Sequence, residues 1–146
     1  MTSATRRLLN NSAENLGEHP LMATITTHLL NGTAGTHMGG VKVSLYRIDK
    51  GGARLLVFES ATDEAGRMQQ TLAVESVDTT SSYELQIATG PYWSNGDHMQ
   101  KQGGFAGATC TDIVHRFNMP DADARYHVPF ILSPHSYSVW HSVPEP

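Results

Sequence analysis

The sequence predicts an all-β fold, an antiparallel β-sandwich with one short helix, and three observations carry that reading. The stretch Ala124 to Ser142 divides at Ser133-Pro134 into two runs, RYHVPFIL and HSYSVWHS. Both are dense in the β-branched and aromatic residues that fit a pleated surface, so the stretch reads as a tight hairpin. Six further runs of similar character are spaced along the chain by clusters of Gly, Asp, Asn and Pro, the residues that turns require. Only one segment carries a helix signal, and about eight short strands with turns between them is the pattern of a sandwich.

Residues 1–21 are polar and mixed, with Arg6 and Arg7 beside Leu8 and Leu9, and are expected to be a mobile arm ahead of a domain spanning 22–146. MATITTHLL, from Met22, nearly alternates and forms a first strand, closed by Asn31-Gly32-Thr33-Ala34-Gly35. VKVSLYRID sets Val41, Val43, Leu45 and Ile48 against Lys42, Ser44 and Arg47, a second strand ending in the hairpin turn Asp49-Lys50-Gly51-Gly52. ARLLVFESAT is a third strand; it stops at Asp63-Glu64-Ala65-Gly66, and Arg67 opens a fourth just beyond that tight turn. SSYELQIAT is a fifth. The following segment is expected to form the helix, starting near Pro91 and ended before Gly103-Gly104, since Pro suits a first turn and Gly a terminus. CTDIVHRFN is a sixth strand, and Pro120-Asp121-Ala122-Asp123 turns into the closing hairpin. In that hairpin Arg125, His127 and Pro129 alternate with Tyr126, Val128 and Phe130, giving one polar and one apolar face. Pro129 has no N–H to give to a ladder, which marks an edge or a break where the polar face opens onto a cleft.

Composition narrows the functional classes. At 146 residues one core is expected, burying roughly 70% of the surface of the unfolded chain. A net charge of −4 with scattered Lys and Arg argues against nucleic acid or an anionic membrane as the main partner and towards a small molecule or a protein. Cys110 is the single cysteine, so no intrachain disulfide framework exists and the thiol reads as a strand or core residue. No run reaches the ~20 apolar residues of a membrane span, and no apolar signal segment is seen at the N-terminus. A soluble chain of the cytoplasm, or of the peroxisome, is the expectation. The eight histidines include no His-x-His pair, no His-Glu-x-x-His and no neighbouring Cys pair, so no metal site and no cofactor is expected. Neither a nucleophile elbow nor a phosphate-cradling glycine loop occurs.

Several strings taken together resemble one family. These are Ala23-Thr24-Ile25-Thr26-Thr27-His28-Leu29-Leu30, Asp63-Glu64-Ala65-Gly66-Arg67, Gly90-Pro91-Tyr92-Trp93, and the run from Pro120 to Pro129 followed by Leu132-Ser133-Pro134. In this order, over about residues 22 to 143, they are similar to the transthyretin and 5-hydroxyisourate hydrolase family. The resemblance implies a sandwich of two four-stranded sheets, a homotetramer, and sites in a channel between dimers. It also implies hydrolase rather than hormone-carrier character, from a His in the first strand, an Arg after the turn and a His in the penultimate strand, here His28, Arg67 and His127. The chain departs from the hydrolases at its end. Trp140, His141, Ser142 and Val143 stand where Tyr-Arg-Gly-Ser is usual, the first loop lacks its usual Pro, and His135 replaces an aromatic after the Ser-Pro turn.

The chemistry of the trio stands beside the resemblance. A strand histidine taken singly is more often a hydrogen-bonded surface or core residue, and His19, His37, His98 and His115 are read as surface. Two histidines with an arginine are different, because ring opening needs groups that exchange protons near neutral pH, and imidazole is the side chain that does so unperturbed. An arginine fork can hold an oxyanion developing on a carbonyl. The expected catalytic residues are therefore His28, Arg67 and His127, acting on a small cyclic substrate, with Arg125, Ser133, Trp140, His141 and Ser142 as substrate-binding residues. Three readings stay open: hydrolysis of 5-hydroxyisourate, opening, closure or isomerisation of a different and more apolar ring such as a lactone or lactam, and a carrier without chemistry. The altered tail exchanges a guanidinium for an imidazole and adds apolar groups, which favours the larger or more apolar ligand.

Overall fold

A computed structural model describes residues 22–94 and 109–146. The arm expected over 1–21 and the helix expected beyond residue 94 lie outside the described residues, as do His19 and His98. In chain order the strands are β1 (Met22–Asn31), β2 (Thr36–His37), β3 (Lys42–Ile48), β4 (Arg54–Ala61), β5 (Arg67–Ala73), β6 (Ser82–Ile87), β7 (Ile113–Asn118), β8 (Arg125–His127), β9 (Phe130–Ser133) and β10 (Ser136–Val139). Among the described residues a 3-10 turn, Val74–Ser76, follows β5, and a short helix, α1, spans Gly90–Ser94.

One sheet is the regular antiparallel array β4-β3-β6-β7. The other is organised by β1, which is ten residues long and pairs with four other strands. Antiparallel to it run β5, along Met22 to His28, and β2, at Leu30 and Asn31. Parallel to it run β8, opposite Thr24 to Thr26, and β9, opposite Leu29 to Asn31, with β10 outermost. The expected four-stranded antiparallel sheet is thus four lanes assembled from six segments, with one parallel seam. Two physical causes account for this. Pro129 cannot donate to the ladder and splits one lane into β8 and β9, and β1 outruns β5, leaving room for β2.

The apolar faces meet between the sheets. Ile25 and Leu29 of β1, Val43 and Leu45 of β3, Leu85 and Ile87 of β6, and Val128 and Phe130 around Pro129 are fully buried. Tyr126 is buried as well, and its hydroxyl donates to the Asp121 carbonyl (2.6 Å) while accepting from the Asp121 N–H (2.9 Å). A buried phenol satisfied in this way is stable in the core. Because side chains alternate, anchoring Tyr126 inward fixes Arg125 and His127 on the outer face of the sheet. No helix among the described residues is long and apolar enough to cross a membrane.

Candidate functional site

The outer face of β1 and its two neighbours collects the polar residues. The register sets His28 of β1 opposite Arg67 of β5, Thr26 opposite His127 of β8, and Thr24 opposite Arg125. A groove of about 240 Å3 opens there, lined among others by Thr26, Asp63, Arg67, Arg125 and His127. A hollow of similar size beside Val41, Ala88 and Tyr92 holds no imidazole or carboxylate.

Local devices fix each group. The carboxylate of Asp63 accepts hydrogen bonds from the N–H groups of Ala65 and Arg67, both at 2.9 Å, and the Asp63 N–H donates to the Arg67 carbonyl at 2.8 Å. This Asx-type turn delivers Arg67 to the start of β5. Gly66 adopts φ +74°, which a residue with a Cβ enters only at a cost, and packs against the backbone of Leu29 and Met38. His127 is held twice. Its Nδ1 shares a hydrogen bond of 2.7 Å with Thr26 Oγ1, and its backbone is paired to the segment after β10, donating N–H to Ser142 Oγ (3.2 Å) and accepting from Ser142 N–H (3.0 Å). Trp140 N–H donates to the Pro129 carbonyl, and Arg125 and Glu145 exchange both backbone bonds, so the chain end runs along β8 as a strap.

Burial and neighbouring charge bias both imidazoles towards the neutral form. Burial, then the positive charge of Arg67, hold His28 below the ordinary histidine range, against an opposing hydrogen bond to the Ala65 carbonyl. Burial, then Arg125 and Arg67, lower His127, with Glu145 opposing. Among the described residues neither Arg67 nor Arg125 is in an ion pair; the ion pairs formed are Lys42–Glu59, Arg54–Glu84 and Arg116–Glu84. Two imidazoles and two guanidinium groups that form no ion pair among the described residues suit a ligand that carries or develops negative charge. No group of three or more His, Cys, Asp or Glu fit for a metal exists among the described residues.

Of the residues expected from sequence, Arg67, Arg125 and His127 line the groove, and His28 lies across the β1–β5 register from Arg67. Ser133 sits away from it, at the β9–β10 turn against Gly32. Trp140 is 62% exposed and is not among the residues that line the groove. His141 turns inward, its ring 5.5 Å from that of His115 and 5.3 Å from Phe117. His115, expected on the surface, is instead half-buried in this aromatic group, where it also lies beside Phe117 and meets Phe130 edge-on. The cause is its alternation with Ile113 and Phe117, which share the inward face of β7. Sequence reasoning missed Thr26, although its spacing of two from His28 puts both on one face. It also missed His37, which is exposed as expected yet sits 3.0 Å from His28.

A two-sheet sandwich centred on a long β1, with this polar outer face, is a transthyretin-type domain. The chain belongs to the HIUase/Transthyretin family, whose model matches residues 25–142. It is 34% identical over 116 residues to 5-hydroxyisourate hydrolase 2 of Rhizobium meliloti, covering 80% of this chain and 92% of the relative. Among solved structures, the 5-hydroxyisourate hydrolase of Klebsiella pneumoniae aligns at 25% identity with a TM-score of 0.60, covering 82% of this chain and 99% of that one. Two others share the fold. Transthyretin from Sparus aurata has 20% identity, TM-score 0.67 and coverage of 84% and 97%. An (S)-allantoin synthase has 24% identity and TM-score 0.63, and the match covers 84% of this chain but 44% of that one.

Proposed function

We propose that this chain is a ring-opening hydrolase of a small cyclic amide, with 5-hydroxyisourate as the nearest substrate. The observation that carries the reading is the outer face of β1, where two imidazoles biased towards the neutral form share a face with Arg67 and Arg125, neither of which is in an ion pair among the described residues. The names of the family relatives support the substrate class. In this scheme one neutral imidazole, His28 or His127, takes a proton from water as its oxygen bonds to the ring carbonyl. Arg67 stabilises the resulting oxyanion, with Arg125 beside it. The C–N bond then breaks and the proton returns to the departing nitrogen, leaving a carboxylic acid and an opened ring. His127 owes its orientation to Thr26 and Ser142.

A homotetramer in the cytoplasm completes the proposal. Ile131, Tyr137, Val139 and Trp140, all on or beside β9 and β10, expose apolar surface that a second copy could cover. A second reading, a larger or more apolar ring as substrate, is favoured by the tail. His141, at the position where the resemblance expects an arginine, faces the core, and the exposed group near it is the Trp140 indole.

The test is direct turnover of freshly prepared 5-hydroxyisourate, followed by loss of its ultraviolet absorbance, with sedimentation in parallel. The expected result is enzymatic turnover by a tetramer, and a fall of about 10² to 10⁴ in His127→Ala with assembly intact. Full activity in His127→Ala removes the assignment, and tight binding without turnover makes the chain a carrier.

A further inference from the structure

We propose that His37 is a positioning residue for His28, acting with the Ala65 carbonyl to hold its ring proton on Nε2, so that Nδ1 is the ring nitrogen left to accept a proton. The geometry sets this out. His28 Nε2 lies 3.0 Å from His37 Nδ1 and 3.1 Å from the Ala65 carbonyl oxygen. The two rings are parallel within 16° with centroids 5.1 Å apart. At that N···N distance, rings so far apart lie side by side rather than face to face, so the hydrogen bond runs close to both ring planes, along the lone pair of the acceptor.

A carbonyl oxygen only accepts, so the proton belongs on His28 Nε2. The opposite tautomer would set the Nε2 lone pair against the Ala65 oxygen and leave that nitrogen to the His37 donor alone. With Nε2 protonated, His37 Nδ1 is the second acceptor and its own proton sits on Nε2, towards solvent. His28 Nδ1 makes no hydrogen bond among the described residues and is free to take a proton. When it does, the imidazolium keeps both acceptors on Nε2. Burial and Arg67 meanwhile bias the resting ring towards the neutral form.

The hairpin that presents His37 is built to hold it. Asn31 Oδ1 accepts from the N–H groups of Thr33 and Ala34, and Gly35 turns the chain at φ +73°. Leu30 then pairs with His37, Met38 N–H donates to the Leu29 carbonyl, and the Met38 side chain is fully buried. A proline, which the family resemblance expects in this loop, would offer no acceptor.

The proposal deepens the hydrolase reading by making His28 the base, and its test separates the two. Nitrogen-15 NMR of the histidine rings reads the tautomer without any substrate. The native protein should show His28 protonated at Nε2; His37→Phe, which leaves the Ala65 carbonyl as the remaining acceptor, should keep Nε2 as the major site and gain a minor Nδ1-protonated population, and His37→Asn, whose amide oxygen can stand where Nδ1 stood, should restore the native pattern. With 5-hydroxyisourate, His37→Phe should lower kcat about tenfold at unchanged KM and move the acid limb of the pH profile, while His37→Asn stays within about threefold of native. If the native protein does not turn this substrate over, the hydrolase reading falls and the NMR arm alone decides the role of His37. A native His28 protonated at Nδ1, or a His37→Phe protein with native tautomer and native pH profile, overturns it.

Discussion

Replacing Gly66 by Ala tests how the turn that presents the Ala65 carbonyl and Arg67 is held. Gly66 has φ +74°, and an added Cβ would stand 2.5 Å from the Leu29 carbonyl oxygen and 3.1 Å from the Met38 nitrogen. Both are backbone atoms of paired segments and cannot swing aside. The left-handed conformation costs a residue with a Cβ roughly 1–2 kcal/mol, and forcing atoms into filled space typically adds about 1–3 kcal/mol. A loss of about 3 kcal/mol is expected from these two terms. For a chain of this size that lowers Tm by about 10 °C. Gly35→Ala is the control, because Gly35 has φ +73° with nothing within 4 Å of its would-be Cβ. It carries the conformational cost alone, and any gain from a stiffer unfolded chain is common to both variants. Urea denaturation followed by circular dichroism at one fixed protein concentration gives the comparison. Gly66→Ala should fall below Gly35→Ala by about 1–3 kcal/mol; equal midpoints would refute the claim that backbone contact at Gly66 fixes the turn.

Two pH predictions follow from the imidazoles. Arg125→Gln removes the second cause, after burial, of the low His127 pKa, so the His127 titration followed by NMR should move up towards the ordinary value and the neutral fraction at pH 6 should fall; an unmoved midpoint would leave burial and Arg67 as the causes and remove Arg125 from them. His115 is also held below the ordinary range, by burial first and His141 second. A histidine whose folded pKa is depressed costs nothing above about pH 6.5, where folded and unfolded forms are both neutral, and destabilises as pH falls from there towards the folded pKa, because the unfolded chain binds the proton first. Urea midpoints should therefore drop between pH 7.5 and 5.5 in the native protein and drop less in His115→Phe, which keeps an aromatic ring against Phe117 and Phe130.

The sheet faces were legible because alternation is a local property. Tyr126, Val128 and Phe130 point inward and Arg125 and His127 outward, as the pattern of RYHVPFIL implies. The same rule applied to Ile113, His115 and Phe117 puts His115 inside, and the expectation of a surface residue failed only because residue type was weighed above position. What spacing along the chain does not reveal is pairing at a distance. The parallel seam of β1 with β8 and β9 joins residues about a hundred positions apart, such as Thr26 and His127. β2 is two residues inside a glycine-rich loop, too short to carry a period. The strap of Trp140 to Glu145 follows no alternating pattern and is held through backbone groups, which the side-chain sequence does not encode. The groups of the groove were thus readable one by one, while the partners that orient them, Thr26, His37 and the Ala65 carbonyl, became visible only with the fold.

The central position of β1 governs when a folding chain can acquire its groove. The hairpin β3–β4 and the antiparallel pair β6–β7 close over short or moderate stretches and the β3–β6 and β1–β5 pairings over roughly forty residues, whereas β1 must wait for β8 about a hundred residues later. Loop closure over such spans is entropically costly and slow, so contacts of high sequence separation form late. Arg67 and His127 arrive on opposite edges of β1, and His127 comes by the longer of the two closures. A chain that has made every pairing but those of β8 and β9 with β1 would hold Arg67 in place and lack the other side of the groove. In refolding from urea, recovery of ligand binding should therefore trail recovery of the strand signal.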